Sequence, residues 1–381
     1  MDPEVISNFL SQQRESAPED LQASFLAIED YWDRKLWHQL TDVLVEYFNT
    51  PDSASQRLPL FRHFILSFAE KINQLKFVSL GLLAASQCQD DKERLSFLTD
   101  LNQKVNKPSS QDAYVYALVA AAEVKLRLQD ISGARKDLDT AESILDTFDS
   151  VENEVHATFY RINASYYQTN EDFGAYYRNA LLYLACIDIK TLAPHDAQSR
   201  AYDLSIAALV SESIYNFGEL LLHPILETLI STPHSWLRDL LYAFNRGDLD
   251  AYNVLEANLS KAPQLEQHKE FLYQKISLSA LTEAVFRRPP HDRAMTFQTI
   301  SRETHVQPAD IEILIMKALS LGLLKGNIDQ VAEIARINWV QPKVLDPGQI
   351  DGMRVRLREW DSSVNQLGNW IEGVGKDVWA A

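Results

Sequence analysis

Residues that could do catalytic or metal chemistry are few in this sequence, and their spacing does not suit such chemistry. None of the nine histidines lies two residues from another, so the His-x-His pair of a zinc hydrolase is absent. The sequence also lacks an HExxH helix, a CxxC pair and a G-x-S-x-G nucleophile elbow. The histidines are His38, His63, His156, His195, His223, His234, His268, His291 and His305. We therefore predict no catalytic residue and no metal site.

A short glycine-bearing stretch near the end of the sequence resembles a phosphate-binding loop only superficially. Residues 373–377 read Gly-Val-Gly-Lys-Asp. A Walker A loop has Gly where Trp370 stands and Ser or Thr where Asp377 stands, and it follows a β-strand. Cys88, in a helical stretch with no paired base, is typical of packing rather than of a nucleophile. The sequence predicts no nucleotide and no other cofactor.

One basic cluster stands out in an otherwise acidic chain. It consists of Arg287, Arg288, His291 and Arg293, next to the dipeptide Pro-Pro. The cluster is typical of a solvated loop, and a contact with RNA or another anionic partner is the alternative. The whole chain carries 36 Lys and Arg against 53 Asp and Glu, a net charge of -17, which disfavours a broad phosphate-binding surface.

Length and composition favour a mainly helical chain with more than one domain. The sequence has 381 residues, 46% of them apolar, and 12 glycines. The two cysteines suit a reducing compartment. The start of the sequence lacks a basic segment followed by an apolar one, and no run approaches the roughly 20 apolar residues of a membrane span. We expect an intracellular, soluble protein.

Helical hairpins are predicted from about residue 21 to residue 260. Apolar residues recur there at helical spacing, and short polar or proline-bearing breaks separate the segments. The turns are predicted at Gly133, Gly174, Gly218 and Gly247. Each hairpin leaves an apolar face that the next hairpin can cover, so the pattern predicts a degenerate α-solenoid.

The stretch from Ile300 onward predicts a helix, a turn, a second helix and a β-hairpin, which is the order of a winged helix. The second helix has an apolar stripe at Ile311, Leu314, Ile315, Ala318 and Leu319. Its other face is predicted to present Asp310, Glu312 and Lys317. Residues 297–345 hold five basic and five acidic residues, and this neutral balance argues against a DNA-reading role.

The wing of this module is a candidate protein-binding edge. Its two predicted strands lie in LLKGNIDQ and ARINWVQPKVL. An unpaired outer edge can accept a strand or a side-chain contact from a neighbouring protein. We therefore predict Lys325, Asn327 and Asp329 as partner-binding residues.

A final helix is predicted from about residue 350 to residue 378, after the break DPGQ. Its apolar residues are separated by alternating steps of 3 and 4, a 3.5-residue repeat typical of a helix that packs against other helices. The partner-binding residues predicted on this stripe are Ile350, Met353, Leu357, Trp360, Val364, Leu367, Ile371 and Val374, and Val378 continues it. Either a bundle with other chains or packing onto the chain's own solenoid would cover the stripe.

The end of the sequence resembles a PCI domain, the module shared by the proteasome lid, the signalosome and translation initiation factor three. The resemblance lies in THVQPADIEILIMKALSLGL, GLLKGNIDQV and ARINWVQPKVL. The whole chain, including DYWDRKLWHQLTDVLVEYF and RVRLREW, is similar to the PCI-domain subunits of the proteasome lid. The resemblance implies an all-α solenoid of helical hairpins, then a winged-helix (PCI) module with a small β-hairpin and a long C-terminal helix.

The resemblance also implies domain ranges, partners and a role. The ranges are 1–165 for the N-terminal helical repeats, 166–345 for the PCI domain with its winged helix from about 265, and 348–379 for a bundle helix. The implied role is a non-catalytic lid scaffold in cytoplasm and nucleus that supports ubiquitin-dependent degradation. Its implied partners are other PCI-type lid subunits and the lid deubiquitinase, bound through a C-terminal helical bundle in a hetero-oligomer, with no nucleic acid and no membrane. The alternative is a PCI scaffold of a signalosome-type or initiation-factor-type assembly with an RNA contact.

Overall fold

A computed structural model describes residues 3–148, 152–289, 292–343 and 347–379. The chain divides into two compact units, residues 1–191 and residues 192–381. No helix in the described ranges has the length and apolar character that crossing a lipid bilayer requires. The domain ranges inferred from the sequence stay predictions.

The described residues of the first unit form ten α-helices with short connections. The most buried of them is the alanine-rich seventh helix, whose small side chains allow close approach of the helices before and after it. The helices are α1 Pro3–Ser16, α2 Glu19–Asp33, α3 Trp37–Asn49, α4 Ala54–His63, α5 Gln74–Ala85, α6 Asp91–Val105, α7 Gln111–Arg127, α8 Ile131–Leu145, α9 Asn153–Thr169 and α10 Phe173–Cys186. One apolar core runs through this unit from Ile6 to Ile162.

The hairpin turns of this unit lie before the predicted glycines. The chain reverses at Gln129 and Glu171, whose φ values are 64° and 58°, and Gly133 and Gly174 lie inside the first turns of α8 and α10. The predicted turns at Gly133 and Gly174 are therefore wrong. An aspartate follows each reversal and supplies the helix N-cap, which is a stronger local signal than the glycine.

These N-caps have matching geometry. Asp130 accepts a hydrogen bond from the backbone N–H of Gly133 at 2.9 Å, and Asp172 accepts one from Ala175 at 3.0 Å. In both turns the N-cap N–H also donates to the carbonyl five residues earlier, as in a Schellman motif. The two hairpins thus share one turn design that tolerates a non-glycine residue at positive φ.

The second unit begins with six further helices. They are α11 Pro194–Val210, α12 Gly218–Leu222, α13 Ser235–Arg246, α14 Leu249–Leu255, α15 Pro263–Gln267 and α16 Lys269–Phe286. Gly218 is the first residue of α12, so the turn predicted there precedes it. Gly247 does occupy a turn, with φ 66°, and Asp248 caps α14 in the manner of the earlier pairs. Most of α16 is buried, and it packs against α13 and against the module that follows.

The winged-helix module contains the small sheet of the second unit. Its elements are β1 Ala294–Thr296, α17 Phe297–Thr304, α18 Ile311–Ser320, β2 Leu324–Asp329 and β3 Ile334–Val340. The strand order is β1-β3-β2, with both pairings antiparallel. The α18 stripe predicted from the sequence faces the module core, where Ile311, Ile315 and Ala318 are fully buried. The predicted order of a helix, a turn, a second helix and a β-hairpin is confirmed.

A β-bulge shapes the wing. The register of β2 against β3 shifts between Lys325 and Gly326. A Cβ atom on Gly326 would lie 2.2 Å from the carbonyl oxygen of Arg336, so the close approach of the two strands requires glycine there.

The last element is α19, Pro347–Trp379, a helix of 33 residues. Together with the helical hairpins and the winged helix, it confirms the predicted fold class. At about 1.5 Å per residue this helix is about 50 Å long.

Candidate partner-binding surfaces

The predicted stripe on α19 is exposed along its described length. Every residue from 350 to 372 is exposed, and the stripe side chains range from 43% exposed for Met353 to 68% for Trp360. The remaining exposed members are Ile350, Leu357, Val364, Leu367 and Ile371. The side chains of Val374 and Val378 lie outside the described residues. A long helix with an exposed apolar stripe is typical of an element that another protein covers.

Sequence reasoning missed one member of this surface. Trp370 is 63% exposed and lies three residues after Leu367, so it widens the stripe near its end. A strict 3.5-residue repeat does not include position 370. The large aromatic side chain next to Ile371 was nevertheless a signal in the sequence that this position could belong to the stripe.

The basic loop before β1 is partly engaged within the second unit. Arg287 pairs with Glu283 at 3.3 Å, and its backbone carbonyl accepts a hydrogen bond from Arg356 of α19 at 2.9 Å. His291 of the predicted cluster lies outside the described residues. These contacts are typical of a loop that anchors α19. They also leave fewer positively charged side chains free to bind an anionic partner.

The outer face of α18 is more apolar than predicted. Ile313 is 60% exposed and Met316 is 48% exposed. The charged residues predicted to dominate that face bond to neighbouring elements: Glu312 accepts from Gln330, and Lys317 donates to Gln274, each at 2.9 Å. The signal was present in the sequence, because Ile313 and Met316 are apolar positions off the core stripe.

The wing places the three predicted edge residues on a strand with one neighbour. Among the strands that the structure describes, β2 pairs with β3 alone, so its other side is the edge of the sheet. Lys325 and Asn327 are exposed, and the Lys325 Nζ lies 4.8 Å from the centre of the Trp339 ring. Asp329 is half-buried and accepts a hydrogen bond from the Ala332 N–H within the turn. Partner binding at this edge stays a prediction.

The described part of the chain offers no evident catalytic machinery. Among the described residues, no group of three His, Cys, Asp or Glu side chains is arranged to hold a metal ion. Cys88 is buried, and burial together with nearby Glu93 raises the pKa of its thiol, which disfavours the nucleophilic thiolate. The predicted lack of catalysis and of cofactors stays a prediction.

Helical hairpins, a charge-balanced winged helix and a long exposed C-terminal helix define the class of PCI-domain proteins. The family model described as the PCI domain matches residues 242–339. Models described as PSD13 N-terminal repeats and the Rpn9 C-terminal helix match residues 24–241 and 343–375.

Similarity to whole proteins extends along nearly the full chain. The chain is 45% identical to the probable 26S proteasome regulatory subunit rpn9 of Schizosaccharomyces pombe, over 99% of this chain and 100% of that protein. It is 38% identical to the 26S proteasome regulatory subunit RPN9 of Saccharomyces cerevisiae, over 98% of each chain. The chain belongs to the Rpn9/PSD13 family of proteasome regulatory subunits.

A more distant similarity concerns only part of the chain. COP9 signalosome complex subunit 7 of Arabidopsis thaliana is 25% identical over 43% of this chain and 60% of that protein.

Proposed function

We propose that this chain is a non-catalytic scaffold subunit of the lid of the 26S proteasome regulatory particle. In that role it supports lid assembly and ubiquitin-dependent protein degradation in cytoplasm and nucleus. The observation that carries the proposal is the end-to-end similarity to proteasome regulatory subunits, which includes the exposed helix α19.

Helix α19 supplies the principal contact in this proposal. Its stripe packs into a bundle with the C-terminal helices of other PCI-type lid subunits and of the lid deubiquitinase. Burial of apolar surface contributes roughly 25 cal/mol per Å², so a stripe of bulky side chains along such a helix is a large source of binding free energy. Gly352 and Gly368 each weaken the isolated helix by roughly 1 kcal/mol relative to alanine, so the bundle also orders it.

The winged helix supplies a second contact. Ile313 and Met316 on α18 form an apolar patch for a neighbouring subunit, while the β2 edge at Lys325 and Asn327 offers polar and backbone groups. A neutral module with these surfaces is suited to bind protein rather than nucleic acid, because nucleic-acid binding requires an excess of basic groups.

Purification of the tagged full-length chain from cells in mild salt tests the proposal. Mass spectrometry should identify the other lid subunits in fixed stoichiometry with it. Recovery of the chain without them would contradict the proposal, and recovery with signalosome or initiation-factor subunits would favour the alternative PCI assembly.

An RNA contact is tested separately. The purified chain is titrated with single-stranded RNA at low and at physiological salt, because phosphate contacts depend strongly on salt. We expect no binding even at low salt. Salt-dependent binding that Arg288→Gln abolishes would support the RNA-contacting alternative.

A further inference from the structure

A concave site in the first unit collects arginine side chains in an otherwise acidic chain. It lies among α5, α6, α7 and α9, and we call it the arginine cleft. Its charged lining residues are Arg94, Arg127, Arg161 and Glu123, a balance of +2 in a chain of net charge -17. Its apolar floor includes Leu82, Leu98 and Val124. Positive charge over an apolar floor favours an anionic group attached to an apolar neighbour.

Two of the arginines are held in place by one carboxylate. Arg127 donates to one oxygen of Glu123 at 2.8 Å, and Arg161 donates to the other at 2.9 Å. Burial alone would raise the pKa of Glu123, but Arg161 and Arg127 hold it below its usual value, so this carboxylate is charged. The shared carboxylate orders both guanidinium groups before any ligand arrives, which lowers the entropy cost of binding.

Both guanidinium groups retain donors. A guanidinium has five N–H groups, and each of these two arginines bonds Glu123 through a single nitrogen. Among the described residues, neither guanidinium group forms a further side-chain hydrogen bond. Arg127 and Arg161 can therefore receive a second carboxylate in the forked geometry that arginine favours.

The third arginine contributes a fixed charge. Arg94 donates to the carbonyl oxygens of Ala85 and Ser86 at the end of α5, at 2.9 and 3.1 Å, and its side chain is 19% exposed. Its pairing with Asp91 is long, at 3.7 Å. Since two of its five N–H groups bond neutral carbonyls and its carboxylate partner is distant, Arg94 adds positive charge to the cleft.

We propose that the arginine cleft binds an acidic side chain of a partner polypeptide, with the carboxylate on Arg127 and Arg161 and the adjacent apolar residue on Leu82 and Leu98. The cleft volume of 250 Å³ is below the roughly 300–1,000 Å³ of small-molecule sites, which suits one or two side chains. The site is built from elements of the first unit, and the proposal does not depend on the proposed lid function.

A fluorescent six-residue peptide of alternating Leu and Glu, titrated into the full-length chain, tests the proposal. A Leu and Gln peptide is the control ligand. We expect the Glu peptide to bind about tenfold more tightly, with an affinity that falls as salt rises. Equal binding of the two peptides would overturn the proposal. Inorganic phosphate that binds as tightly as the Glu peptide would also overturn the proposal by making the cleft a simple anion site.

Two variants assign the binding to the cleft. Arg127→Gln combined with Arg161→Gln should weaken the Glu peptide about tenfold, whereas Arg62→Gln, which removes an arginine from its pair with Glu93, should not. No loss from the double variant in a folded chain, or equal losses from the double variant and from Arg62→Gln, would contradict the proposal.

Discussion

The Nζ atom of Lys275 lies 2.6 Å from the backbone carbonyl oxygen of Ser211. It also donates to the carbonyls of Ala208 and Leu209, at 2.8 and 3.0 Å. These groups lie at or just beyond the C-terminal end of α11, where carbonyls lack partners within the helix. A fully buried lysine of α16 thus caps α11 and fixes the segment that follows it.

Replacement of this lysine should destabilise the chain strongly. Lys275→Met keeps most of the side-chain volume but leaves the buried carbonyls without a donor, and each unpaired group costs about 1–3 kcal/mol. We expect the free energy of unfolding to fall by about 3 kcal/mol in urea denaturation. Lys269→Met on the same helix removes an exposed lysine that pairs with Glu256. This variant should change the free energy of unfolding by less than about 0.5 kcal/mol. Equal effects of the two variants would contradict the capping role.

The same lysine should make stability depend on pH. Burial lowers the pKa of Lys275 to about 7, below the value of about 10.4 for an unfolded chain. Between these values the unfolded chain binds more protons, so the contribution of Lys275 to the free energy of unfolding rises with pH from about 7 to about 10.

The three carbonyl acceptors oppose this shift, because only the charged ammonium carries three hydrogens. The test is the difference in free energy of unfolding between the natural chain and Lys275→Met, measured across that range. We expect the difference to increase with pH. A constant difference would mean that the carbonyls preserve an ordinary pKa.

Gly247 should not tolerate even alanine. Its φ of 66° is unfavourable for other residues by roughly 1–2 kcal/mol, and a Cβ atom there would lie 2.5 Å from the Cα of Ala280. Gly247→Ala should therefore lower the melting temperature by several degrees. The matched change Gly352→Ala, in an open helical position with no neighbour within 4 Å, should not lower it. A melting temperature unaffected by Gly247→Ala would show that α16 can move away.

The outer face of α18 should matter for assembly and not for folding. Met316→Asp alters an exposed side chain, so thermal stability should stay the same while recovery of partner subunits falls. Ile315→Asp, one residue away, places a charge in a fully buried position and should unfold the winged helix. If Met316→Asp assembles as well as the natural chain, this face is not a contact.

The sequence predicts elements well where apolar spacing alone decides the structure. The core stripe of α18 and the extent of α19 follow from spacing, because a helix has one period whatever surrounds it. The turn positions do not follow from the glycines, since Gln129 and Glu171 adopt positive φ without being glycine. The Asp N-caps that follow these two residues are the stronger signal for where each turn lies.

Contacts between distant residues could not be predicted at all. The arginine cleft combines side chains of α6, α7 and α9, and Lys275 meets carbonyls more than 60 residues earlier in the chain. Only the packing of helices brings these groups together. Local sequence patterns carry no information about which distant residues come into contact.

Deletion of residues 348–381 tests most directly whether α19 is the element that joins this chain to its assembly. The truncated and natural chains are each expressed with a tag, compared for melting temperature after purification, and compared for co-purification of other subunits from cells. The exposed stripe predicts a nearly unchanged melting temperature and loss of the partner subunits. A truncated chain that still recovers the full set of subunits, or that melts at a much lower temperature, would contradict this account.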